Sequence, residues 1–157
     1  MRFHVLQSAF SERELGVALP YRQTAAYTVT RFQATFVGLV AAQATHSIEE
    51  YFGHLYEIFA PARFVSGLIS QNLRIGFIIF NVSLVTFGAW CSLWLARRWS
   101  PSLTVVTWFW VAIELINGVG HPLWSLREMR YTPGLATAPI LLVLAIALAR
   151  QIRTGAL

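Results

Sequence analysis

The chain of 157 residues has no lysine and no aspartate. Its charge rests on twelve arginines and seven glutamates, so every ion pair it forms must be built from Arg, Glu or His. Charged residues are also scarce, at 12% about half the share usual in soluble domains. With 56% hydrophobic residues and a mean hydropathy of +0.56, the composition rules out a soluble globular domain. Cysteine is nearly absent, and the single Cys91 excludes an intramolecular disulfide and any CxxC metal or redox motif. The zinc motif His-Glu-x-x-His is missing too. The first residues, MRFHVLQSAFSEREL, lack a compact apolar core with a small-residue cleavage site, so the first span is expected to direct its own insertion. The net charge of +5 does not imply nucleic acid, because the arginines stand singly or in pairs beside apolar segments rather than on one solvated face.

What the sequence does contain is apolar residues in long runs. Four segments, about 30–50, 73–96, 102–121 and 135–150, are suited to crossing a bilayer. They predict an all-α, polytopic membrane protein. Its core is a four-transmembrane-helix bundle over 30–150, with a candidate interfacial helix after the first span, an N-terminal segment 1–29 and a tail 151–157. Ser11 and Glu14 form a capping box for a short surface helix at 12–18, ended by Pro20. Arg2, Arg13, Arg22, Arg31, Arg97, Arg98, Arg150 and Arg153 fall on one side of such a bundle. Arg63, Arg74, Arg127 and Arg130 fall on the other, which predicts both termini cytoplasmic. Trp94, Trp99, Trp108 and Trp110, with Trp124, Tyr51 and Tyr131 at the far side, are expected as interfacial anchors.

Two polar seams interrupt this apolar sequence. His46, Glu49 and Glu50 lie three and four residues apart at the end of the first span, where helical spacing places them on one face. A continuing helix would carry the seam on through Gly53, His54 and Glu57. Glu114, Asn117 and His121 form a second seam in the third span. At ~1.5 Å per residue His46 lies ~20 Å along the first helix and Glu114 ~18 Å along the third. Both helices run outward, so the seams are expected at matching depth and facing each other.

An ionised group near a bilayer centre costs about 2.5–3.5 kcal/mol, so these carboxylates need partners. The candidates are a divalent metal, protonation of a glutamate, or salt bridges to Arg74 and Arg63. Asn81, seven residues after Arg74, extends the polar edge of the second span. Imidazole and carboxylate together suit zinc or non-haem iron, which makes His46, Glu49, Glu50, Glu114 and His121 candidate ligands. The remaining polar neighbours, Asn117, His54, Arg74 and Asn81, are candidates to support them. After the third span, Pro133-Gly134 predicts a type II turn, and Tyr131 beside it is a candidate hydrogen-bond or proton donor over the site.

His46-Ser47-Ile48-Glu49-Glu50, His121 and Tyr131-Thr132-Pro133-Gly134, in this order over about residues 30–150, resemble the HXXEE-domain family of small integral membrane proteins. The resemblance marks His46, Glu49, Glu50, His121, Tyr131, Pro133 and Gly134. It implies a membrane enzyme whose motifs form an active site, and it supplies no substrate.

The function expected from these residues is a metal-dependent membrane enzyme, hydrolytic with zinc or oxidative with iron, acting on a lipid-soluble small molecule. Glu49, Glu50 and Tyr131 are its candidate catalytic residues, one unligated glutamate serving as general base. Two other readings remain open. One is a metal-free acid–base isomerase or cyclase of an isoprenoid or sterol-like substrate, suited by six Trp and eleven Phe. The other is a non-enzymatic ion carrier or assembly subunit, for which Gly118 and Gly120 would allow close helix packing, within the chain or in a homo-oligomer.

Overall fold

The structure is a computed structural model and describes residues 31–95 and 101–154, which form six helices and no strand. They are α1 (31–52), α2 (Leu55–Ile58), α3 (Ala60–Ile69), α4 (Leu73–Leu95), α5 (Pro101–Glu128) and α6 (Ala138–Arg153). The all-α expectation holds. The surface helix expected at 12–18, the Arg97-Arg98 pair and Trp99 lie outside the described residues.

Each long helix buries one stripe. In α1, Phe32, Phe36, Leu39, Val40, Gln43, His46, Ser47 and Glu50 are buried at the three- and four-residue spacing of one helical face. That helix does not continue the seam beyond Glu50. Gly53 and His54 form a turn, with His54 left-handed at φ 56°, and α2 and α3 follow in place of one longer helix. A proline in the first turn of α3 suits a helix start, where its missing N–H leaves no hydrogen bond unmade. α5 runs seven residues past its expected end. Pro122 lies inside it without ending it, although it cannot donate to the Gly118 carbonyl.

Gly118 brings α5 against α6. A side chain there would meet the backbone of Leu142 at 2.9 Å, so the small residue expected to permit close packing does so within the chain. Gly120 has open space around it. One apolar cluster joins Phe36 and Leu39 of α1, Cys91 of α4, Trp110 of α5 and Leu148 of α6. A second joins Leu55 and Tyr56 of α2 to Phe77 of α4, with Phe59 and Trp124 packed on it. Trp110 is fully buried, edge-on to Phe36 and stacked on Phe87, and is therefore a core residue and not an interfacial anchor. Gln43, His46, Ser47, Glu50, Asn81, Glu114 and His121 are all buried, and none of them belongs to either apolar cluster.

Among the described residues, one helix, α4, is long and apolar enough to cross a membrane. Four spans were expected; the described residues support one. α6 has 16 residues.

Candidate metal centre

The two seams meet as their depth predicted. Glu50 Oε1 lies 3.3 Å from His46 Nε2, its neighbour one turn back on α1, and 3.1 Å from His121 Nε2 on α5. The two imidazole rings are edge to face with centroids 4.7 Å apart. All three residues are buried, and their ligand atoms lie within 4.8 Å of one another, so they can hold a metal ion.

Glu49 points elsewhere. Its carboxylate accepts the backbone N–H groups of Gly134, Ala136 and Thr137, each at 3.0 Å, the Thr137 hydroxyl at 2.6 Å, and the Tyr131 hydroxyl. Five donors converge on one side chain, and all belong to the segment between α5 and α6. The same hydrogen bond raises Tyr131 to about 12, so its hydroxyl remains a donor. Thr137 stands at the start of α6 in the place of a helix cap, yet its side chain makes no cap hydrogen bond and turns to Glu49 instead.

The segment it anchors is a turn fitted to the histidines. Leu135 N donates to Thr132 O at 3.2 Å and Gly134 has φ +91°, the pattern expected of a type II turn with Pro133 and Gly134 at its centre. A side chain at Gly134 would meet His121 Cε1 and Nδ1 at 2.5 Å and His46 Cε1 at 2.8 Å, so the backbone itself covers both rings. Pro133 packs in the same way on Gly53, just beyond the end of α1. Ser125 and Thr132 share a buried hydrogen bond that ties the turn back to α5. Gly134→Ala therefore combines a strained backbone, about 1–2 kcal/mol, with overpacking of about 1–3 kcal/mol. We expect a loss of thermal stability together with weakened metal binding, read by unfolding in detergent and by metal titration.

Hydrogen accounting fixes the state of His46. Thr137 gives its one hydroxyl hydrogen to Glu49, so at 2.7 Å from His46 Nδ1 its oxygen accepts, and Nδ1 carries a proton. In a neutral ring Nε2 then presents its lone pair to a Glu50 oxygen, and it has no hydrogen-bond partner. Two electron-rich atoms 3.3 Å apart need a metal ion or a proton between them. His121 Nδ1 is likewise buried without a partner. A histidine that ligates metal through one nitrogen while the other donates to a fixed oxygen is the usual arrangement at metal sites. On this ground the donor set could hold a metal ion.

Glu114 is fully buried and belongs to a different set of contacts. Asn81 Nδ2 donates to Phe77 O at 3.0 Å, which turns its oxygen to Ser47, whose hydroxyl donates at 2.7 Å. Ser47 has no second hydrogen, so Gln43 must donate to it at 3.1 Å, leaving the Gln43 oxygen toward Asn117 and Glu114. The reversed amide would place nitrogen 2.9 and 3.1 Å from the Glu114 oxygens, but it would need that second hydrogen from Ser47 and would oppose the Asn117 amide. A proton on Glu114, donated to Gln43, resolves the network. Infrared spectra of folded protein at neutral pH should therefore show a carboxylic acid C=O band that is absent from Glu114→Gln. Without such a band, Glu114 is ionised and the accounting fails.

The other candidates are placed as follows. Asn117 contacts Glu114 and Gln43, each at 3.3 Å. Arg74 binds the Tyr51 hydroxyl at 2.8 Å through Nε and lies over that ring, so its partner is a tyrosine and not a glutamate. His54 and Glu57 face each other at 3.5 Å on the exposed surface, apart from the buried group. Gln43, Ser47 and Thr137 were not singled out from sequence. Gln43 and Ser47 do lie on the three- and four-residue spacing of the α1 seam, whereas Thr137 gives only the local signal of a residue preceding Ala-Pro.

A family model described as "Protein of unknown function with HXXEE motif" matches residues 37–149. No curated protein and no solved structure matches the chain.

Proposed function

The chain belongs to the HXXEE-motif family, and from the way its motif residues converge we propose that it is a metal-dependent membrane enzyme acting on a lipid-soluble substrate. The observation that carries this reading is the buried His46 Nε2, without a hydrogen-bond partner and 3.3 Å from the Glu50 oxygen that also meets His121, while Thr137 holds the other ring nitrogen. His46, Glu50 and His121 would be the metal ligands. Two imidazoles and one carboxylate leave a further position for a reactant, as in hydrolytic zinc sites and in non-haem iron oxygenases. A bound zinc would polarise a substrate and lower the pKa of water, and a bound iron would supply redox chemistry. Glu49 and Thr137 orient His46. Asn117 stands beside the centre as an amide able to orient a polar substrate group, and the Glu114 proton is held behind it.

Membrane placement is supported by the polarity of the surface. Val37, Val82, Leu93, Val105, Leu123 and Val143, spread over the four long helices, are more than half exposed, whereas Gln43, His46, Glu50, Asn81, Glu114 and His121 are buried. Apolar residues outward with polar residues inward is the arrangement a bilayer stabilises and water does not. In this reading α1, α4, α5 and α6 form the membrane bundle, and the arginine distribution along the sequence favours both termini on the cytoplasmic side.

A metal-free isomerase or cyclase is favoured by one observation, the buried acid Glu114. Elemental analysis separates the two readings. Protein purified in detergent without added metal or chelator is expected to contain near-stoichiometric zinc or iron, lost in a His46→Ala/Glu50→Ala double variant. Folded wild type without metal would overturn the metal reading.

A further inference from the structure

α4 and α5 touch where Trp110 lies over Gly88; a side chain there would meet the indole at 2.8 Å. Toward the His/Glu end they enclose a cavity of about 290 Å³. Its walls include Leu84 and Phe80 of α4, Ile113 and Ile116 of α5, and Ala62 and Val65 of α3. The cavity reaches Glu50, His121, Gln43 and Asn117 at one side. At the other, Ile116 is 70% exposed and Phe80 41%, so the apolar wall opens sideways onto the outer surface of the bundle.

We infer that this cleft is the substrate site, and that it admits one hydrocarbon chain bearing an uncharged hydrogen-bonding head, an alcohol or ester, laterally from the lipid. The inference rests on the metal-dependent reading above and adds to it the class of substrate and its route. Three features select this chemistry. The volume lies at the lower limit of small-molecule sites, roughly 300–1,000 Å³, enough for a head and part of one chain while the rest remains in the bilayer. Among the described residues no arginine lines the cavity, so no side-chain cation is there to hold an anionic head such as a fatty acid carboxylate or a phosphate. Amide groups of Gln43 and Asn117 at its polar side suit a neutral oxygen.

A second, larger cavity of about 510 Å³ between α1 and α4 provides the control. It is lined by Ile48, Ile78, Val82 and Val85 and includes neither Glu50 nor a histidine. The probe is a long-chain alcohol carrying a diazirine near its hydroxyl, irradiated with the protein in nanodiscs and mapped by peptide mass spectrometry. Labels are expected on the α4 and α5 peptides that contain Leu84 and Ile113. Ile113→Trp should reduce them by about tenfold, or ~1.4 kcal/mol of binding, whereas Val82→Trp should leave them unchanged. Val65→Phe blocks the same cleft from α3 if Ile113→Trp fails to fold. Excess unlabelled alcohol should compete and palmitate should not.

Labels confined to the α1–α4 cavity, labels spread over every exposed face, or competition by palmitate equal to that by the alcohol would overturn the inference. Metal content is measured in the same samples. Metal present without cleft labelling defeats the inference and leaves the enzyme reading standing. Cleft labelling without metal defeats that reading and leaves a lipid site.

Discussion

Glu50→Gln is expected to lower zinc or iron affinity by about a thousandfold, ~4 kcal/mol at ~1.4 kcal/mol per decade. Among the described residues Glu50 is the carboxylate grouped with His46 and His121, and one of its oxygens contacts both rings. Glutamine keeps the volume and removes the charge that offsets a divalent cation. The fold should survive, because no backbone group depends on this side chain in the way the turn depends on Glu49. Glu50→Asp, one methylene shorter, should retain part of the affinity. Metal competition titrations check both variants, with unfolding temperature as the control. Equal affinity in wild type and Glu50→Gln would remove Glu50 from the centre.

Glu49→Gln should behave in the opposite way. The adjacent glutamate of the motif makes no contact with His121 and is committed to the 131–137 turn by five hydrogen bonds. An amide nitrogen must replace one of the two oxygens, so at least two donors lose their acceptor. Hydrogen bonds to charged groups contribute about 1.5–3 kcal/mol each, so destabilisation of about 3 kcal/mol or more is expected. Metal affinity should fall by only about 10–100-fold, because the ligands remain while the Thr137 contact that orients His46 is disturbed. Stability is read by thermal unfolding in detergent, and turn mobility by proteolysis near Tyr131. Unchanged stability with complete loss of metal would instead make Glu49 a ligand.

Much of this centre was legible in the sequence because helices translate spacing into direction. His46 and Glu50 are one turn apart, and Glu114, Asn117 and His121 recur along one stripe; at similar depth the two stripes could face each other, and they do. The turn was legible too, since Pro133-Gly134 is chemically specific. What spacing could not resolve was which glutamate of an adjacent pair faces inward. Glu49 and Glu50 are separated by about 100° around the helix axis, so they must address different neighbours, and only the path of the 131–137 segment decides which. The same limit hid Thr137, whose role depends on a contact 88 residues away. A continuing helix would have added His54 and Glu57 to the seam; α1 instead ends before Gly53, where Pro133 packs, and both side chains are exposed, as a wet interface would have them. A salt bridge to Arg74, on the same side of the bundle, was one of three ways open to offset the carboxylates; its partner is the Tyr51 hydroxyl.

X-ray absorption at the metal edge of protein loaded with one equivalent of zinc reads the ligands of the proposed centre themselves. The account predicts two imidazoles and one carboxylate from the protein, a ligand set preserved in Glu49→Gln and short of one imidazole in His121→Ala. A wild-type spectrum without imidazole, or one that loses a carboxylate in Glu49→Gln, would contradict it.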